Sequence, residues 1–221
     1  MKKESFKEIS YLAGFHLKKP DYNFKAKAGE LFNIISDITE REFEVFDIDT
    51  NLILLRNKDL KHFVIKFYST QLVYEDEVEN FSDFQSKALQ ILEGWQKINP
   101  SAKTLRLGGT LRRILLSNVH PKGTYSSILF DNYIKNLTVG GKHKKINLHL
   151  NYNYTRKSND YNVNIYLDEI LEKEYLLECR LDINQIDSDG SKRIDFERVK
   201  NIFNFSDKYY REEFINDLNI K

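Results

Sequence analysis

The chain has 221 residues, long for one average domain and short for two large ones, and a chain of this size folds without disulfide or metal staples. With 41% hydrophobic and 30% charged residues, three prolines and nine glycines, it is neither disordered nor threaded by long flexible linkers. A single cysteine, Cys179, excludes an internal disulfide and any cysteine-based zinc site, and the net charge of +1 points at first sight to no charged partner.

In chain order, residues 6–18 read as an opening strand made irregular by Gly14. Ala28, Leu31, Phe32, Ile35 and Ile38 recur at helical spacing and predict a helix from Lys27 to Ile38. Short strands are expected at Glu42–Asp47, Asn51–Arg56, His62–Tyr68 and Gln71–Asp76, separated by turn-prone pieces such as Asp49-Thr50-Asn51. Phe81, Phe84, Ala88, Ile91, Leu92, Trp95 and Ile98 then make one apolar stripe, which predicts a long helix over 82–98. Ser82 with Gln85 fits a capping box at its start, and Asn99-Pro100 stops it.

A strand is expected over 103–116, bulged at Gly108-Gly109, then a short helix or loop to Leu137. Strict alternation follows. Leu148, Leu150, Tyr152 and Tyr154 interleave with Asn147, His149, Asn151 and Asn153, and the rule repeats through 161–167 and 175–183. Asp195 is placed as the N-cap of a closing helix, expected to break at Asn204–Ser206. The fold class is therefore α+β: two antiparallel meanders of about eight to nine strands, packed with a long central helix and a C-terminal helix. One domain over 1–221 is expected, with halves 1–100 and 101–221 loosely alike.

The neutral total hides a division. Residues 1–99 carry a net −3 and residues 158–221 a net −6, whereas residues 100–157 carry +10 with Asp131 as their one acid. Either the acidic flanks pair with this segment across the fold, or it makes a basic face for phosphates or an acidic partner. Arg106, Arg112, Arg113, Lys122, Lys142, His143, Lys144, Lys145, His149, Arg156 and Lys157 are the candidate binding residues. Asparagine and histidine on a strand face framed by lysine and arginine suit phosphate and base-edge hydrogen bonds.

Catalytic and cofactor patterns are wanting. Asp187 to Asp195 imitates a calcium loop, yet Lys192 stands where the loop's sharp turn needs glycine. Gly140-Gly141-Lys142 lacks the earlier glycine of a phosphate loop, and the five histidines show no metal spacing. No metal or other cofactor is expected. Asp168 with Glu178, Cys179 and Arg180 offers a loose imitation of a metal-dependent nuclease site, or simply cross-strand salt bridges. No stretch approaches the ~20 apolar residues of a membrane span, and no apolar run follows the basic start Met1-Lys2-Lys3, so a cytoplasmic protein without membrane contact is expected.

The aromatic stripe from Phe84 to Trp95, the following Leu105-Arg106-Leu107-Gly108, Leu181-Asp182-Ile183-Asn184 and Phe214-Ile215-Asn216-Asp217 together resemble a sporadically distributed family of uncharacterised bacterial proteins of this size. Arg106-Leu107-Gly108 fits that pattern, whereas Gly109 to Ile114 fits it in part. The resemblance implies a single domain and supplies no catalytic residue. The reading from sequence is a non-enzymatic protein binding nucleic acid or an acidic protein partner through 100–157. Its alternatives are a metal-dependent nuclease and an accessory subunit of a larger bacterial complex, such as one for phage defence.

Overall fold

Nine strands pair into one antiparallel sheet in the computed structural model, which describes residues 6–39, 45–49, 52–56, 64–77, 80–100, 103–117, 147–156, 159–169, 175–186 and 195–215. In chain order they are β1 (Phe6–Leu17), β2 (Val45–Ile48), β3 (Leu52–Arg56), β4 (Val64–Tyr68), β5 (Gln71–Asp76), β6 (Thr104–Ser117), β7 (Asn147–Arg156), β8 (Asn159–Glu169) and β9 (Tyr175–Ile186). Their order across the sheet is β2-β3-β4-β5-β1-β6-β9-β8-β7. Each meander folds back onto the strand that precedes it, β5 onto β1 and β9 onto β6. The adjacent, antiparallel β1 and β6 then join the two meanders. The ladder slips at the glycines, between Gly14 and His16 in β1 and between Leu107 and Thr110 in β6.

One face of the sheet is followed across five strands by the register. Tyr11 stands opposite Arg112, Arg112 opposite Leu181, Leu181 opposite Ile165 and Ile165 opposite Leu150. The helices α1 (Ala28–Thr39), α2 (Phe81–Ile98) and α3 (Phe196–Tyr209) bury this face. Phe84 stacks on Tyr74 at 5.1 Å, and Phe205 stacks on Tyr161 at 3.8 Å, so α2 covers the first meander and α3 the second. Buried aromatics of this size supply most of the apolar area that holds the layers together. Gly94 lets α2 approach α1, because a Cβ there would lie 2.7 Å from Ile34 Cγ2 and 2.8 Å from Ile38 Cδ1.

Three expectations are corrected. The long central helix is not borne out: α2 has 18 residues, and the longest helical run is C-terminal, where the 14 residues of α3 continue into a π-helical turn at Tyr210–Phe214. The break foreseen at Asn204–Ser206 is absent, because Phe205 and Ser206 are buried and packing overrides their weak helix preference. Finally, α2 begins at Phe81 and is capped by Asn80, whose side chain accepts from the Asp83 amide at 2.9 Å. Gln85, placed in the capping box, donates instead to Asn204 of α3. Asp195 caps α3 as expected, accepting from the Arg198 amide. The region 118–146, with its expected short helix or loop, lies outside the described residues. No described helix is long and apolar enough to cross a membrane.

Candidate functional site

On the face away from the helices, alternation brings the polar residues of the second meander into rows running across the strands. Asn147, Asp168 and Glu178 form one row, and His149, Tyr166 and Arg180 the next, which register extends to Arg113 on β6. Asn151, Asn164 and Asp182 form a third, and Asn153, Asn162 and Asn184 a fourth. Period-two alternation makes this unavoidable: a strand that buries Tyr161, Val163, Ile165 and Leu167 must turn Asn162, Asn164 and Tyr166 the other way.

His149 is exposed, and its ring stacks on Tyr166 with centres 4.2 Å apart and planes at 10°. Beside it the amides form a directed chain. Asn151 donates to Asn164, Asn164 and Asn184 both donate to Asp182 at 3.3 Å, and Asn162 donates to Asn184 at 3.2 Å. The inner amides are thus spent on one another, while Asn151 and Asn153 on β7 are exposed. An aromatic platform beside amide edges is suited to planar groups that carry their own donors and acceptors.

The carboxylates of the same face are occupied. Asp168 and Glu178 stand directly opposite across β8 and β9. Arg180 Nη2 meets Asp168 Oδ2 at 2.6 Å, and Arg113 grips Glu178 through two bonds of 2.8 and 3.1 Å. The hydrogen bond to Glu178 outweighs burial and, with the charge of nearby carboxylates, raises the pKa of Arg113. This is the cross-strand salt-bridge arrangement, with each acid closed by an arginine.

The structure divides the eleven candidate residues. Arg113 and His149 stand at the two ends of one row that crosses four strands. Arg112 is corrected: it is 1% exposed on the helix-covered face and takes no part in a surface. Consecutive strand residues point oppositely, and Arg112 is in phase with the buried Ile114. Arg106 stands opposite His16 and Ile186 in the ladder, and Arg156 ends β7 opposite Asn159. Lys122, Lys142, His143, Lys144, Lys145 and Lys157 lie outside the described residues. Tyr166, Asn162, Asn164 and Asn184 were not among the candidates, although the alternation through 159–169 and 175–186 marks their face.

Arg112 anchors a second cluster. Its Nη2 lies 2.6 Å from Asp207 Oδ1 and its Nη1 lies 3.5 Å from Glu8 Oε2. The guanidinium sits between two rings, 3.9 Å from the centre of Phe81 and 4.2 Å from that of Tyr210. Tyr11 donates its hydroxyl to Glu8 Oε2 at 2.5 Å. Burial, assisted by the Glu8 carboxylate, pushes the phenols of Tyr11 and Tyr210 well above their ordinary range, so both stay protonated donors. Arg112 and Arg113 of the basic segment thus pair with acids of both flanks. Among the described residues no group of three or more His, Cys, Asp or Glu gathers to hold a metal ion. No protein-family model matches the chain, and no curated protein matches it.

Proposed function

We propose that this protein binds single-stranded nucleic acid on the polar face of β7–β9. The observation that carries the reading is the exposed His149 ring, stacked on Tyr166 and flanked by the exposed amides of Asn151 and Asn153. Stacking on an aromatic platform accepts any base, and asparagine amides meet base edges as donor and acceptor together. A duplex hides the ring faces and the Watson–Crick edges, so unpaired bases fit a flat sheet face better. The acids at the β8–β9 side are already held by Arg180, Arg113 and two amides, which directs phosphates toward β7. There Lys142, His143, Lys144 and Lys145 precede the strand in sequence, Arg156 ends it and Lys157 follows in sequence. Lysine and arginine so placed supply the sequence-independent phosphate contacts.

The test is binding of labelled single- and double-stranded DNA and RNA across a salt series, with His149→Ala and with Lys142, Lys144 and Lys145 changed to Gln. Salt-dependent binding of single strands, weakened by both variants, supports the reading. Absence of binding at low salt overturns it and favours an acidic protein partner, sought by pull-down. Divalent-dependent cleavage that Glu178→Ala abolishes favours the nuclease alternative.

A further inference from the structure

On the opposite, helix-covered face a cavity of about 340 Å³ opens where β1, β6, the start of α2 and the π-helical turn meet. The rings of Tyr11, Phe81 and Tyr210 line it, and Glu8, Arg112 and Arg211 are its charged groups. Three features set it apart from a packing fault. Arg112 Nε is buried and closes no hydrogen bond among the described residues, and the buried Tyr210 hydroxyl has the Glu8 carboxylate as its one near acceptor among them. Native proteins leave few such groups, and each calls for an explanation. The π-helical turn, a widening that recurs at functional sites, places Tyr210 and Arg211 in the cavity wall.

The third feature is how the charges divide. Asp207 holds two arginines, Arg112 at 2.6 Å and Arg211 at 2.9 Å. Glu8 receives the Tyr11 hydroxyl and a long 3.5 Å approach from Arg112, and both contacts fall on Oε2. Its side chain is 26% exposed, with the Tyr210 hydroxyl also close by, so it is the half-open acceptor of the cavity. Two arginines already balance two carboxylates, which disfavours a charged ligand. Ring walls favour a flat one, and a half-exposed carboxylate favours a donor of N–H bonds.

We propose that this cavity binds a small, neutral, planar heterocycle with adjacent N–H donors, the pattern that a guanine base presents. Glu8 takes the N–H groups, Arg211 faces the ring carbonyl, and the ring lies against Tyr11 and Tyr210. The site is on the other face from β7–β9 polar rows and does not depend on the nucleic-acid reading.

Calorimetric titration of the full chain with guanosine, adenosine and cytidine tests it, beside Glu8→Gln, Arg211→Gln and His149→Ala. Saturable guanosine binding is expected, with adenosine, which lacks the ring N–H beside its amino group, weaker by about tenfold or more. Glu8→Gln should lose a comparable factor with its circular dichroism unchanged, and His149→Ala should lose none. Should Glu8→Gln unfold the chain, Arg211→Gln serves in its place, because Arg211 is 68% exposed and its loss leaves Arg112 paired. No guanosine binding, equal binding of the three nucleosides, or full affinity in the folded charge variants overturns the proposal.

Discussion

Arg112 and Asp207 stand 2.6 Å apart across 95 residues of sequence, and their pairing pins the C-terminal helix to the centre of the sheet. Removing one partner of a buried pair strands the other as an uncompensated charge, at ~3–5 kcal/mol where burial is complete. Asp207 is 28% exposed and Glu8 remains near Arg112, so Asp207→Ala should cost less, about 2 kcal/mol. Arg112→Met leaves an apolar stem between Phe81 and Tyr210, with Asp207 still held by Arg211 and Glu8 by Tyr11. It should be the milder change. Urea midpoints at neutral pH check the order, and a larger loss for Arg112→Met would show that ring stacking, not charge, holds the helix.

Gly94 sets the approach of α1 to α2. Alanine in a helix interior gains about 1 kcal/mol over glycine, yet its Cβ here meets Ile34 Cγ2, a stiff branched methyl, at 2.7 Å. Overpacking of this kind costs about 1–3 kcal/mol, so Gly94→Ala should destabilise by about 1 kcal/mol net. Adding Ile34→Ala removes the clashing methyl, and a double-mutant cycle should show favourable coupling between the two changes. Additive losses would mean that α1 had simply moved aside.

These two contacts mark where sequence ceases to be legible. Period-two alternation writes the strands openly: Tyr161, Val163, Ile165 and Leu167, then Cys179, Leu181 and Ile183, are all buried as the pattern demands. Glycine slips at Gly14 and at Gly108-Gly109 and the Asp195 cap are equally local, so they too can be read. The pairing of β1 with β6, which turns two meanders into one sheet, is a long-range choice with no local period. Arg112 and Arg113 look alike in a row of basic residues, and only the phase of Ile114 separates the interior one from the exterior one. Glu8, Tyr11, Asp207 and Tyr210 come from both ends of the chain, so their cluster has no motif to find.

Alkaline stability follows from the buried phenols and thiol. Burial first, and Glu8 second, hold Tyr11 and Tyr210 above their ordinary 10.0, and burial holds Cys179 above its ordinary 9.0. A group whose pKa rises on folding contributes stability that is present below its unfolded value and lost as pH rises toward the folded one. Stability should therefore be level up to about pH 9 and fall above it, as the unfolded chain sheds protons that the folded chain keeps. Melting temperatures across that range test the fall, and tyrosinate absorbance tests its cause. Full ionisation of every tyrosine while the chain is still folded would contradict the assignment. Cys179, buried, should likewise resist thiol reagents until unfolding.

Salt dependence separates cations that meet phosphates from those already spent on the protein. For single strands each phosphate neutralised contributes about 0.7 to the log–log salt slope. Changing Lys142, Lys144 and Lys145 to Gln should flatten the slope by about 2 if all three release counterions. Arg113 is bound twice by Glu178 and Arg180 is bound by Asp168, so Arg113→Gln and Arg180→Gln should leave the slope unchanged. Glu178→Gln works the other way: it frees the Arg113 guanidinium, 33% exposed, to meet a phosphate, and should steepen the slope. A flatter slope in Arg113→Gln would place the phosphate path across β6 and β9 rather than along β7. The affinity lost in His149→Ala, by contrast, should be the same at every salt concentration, because stacking releases no ions.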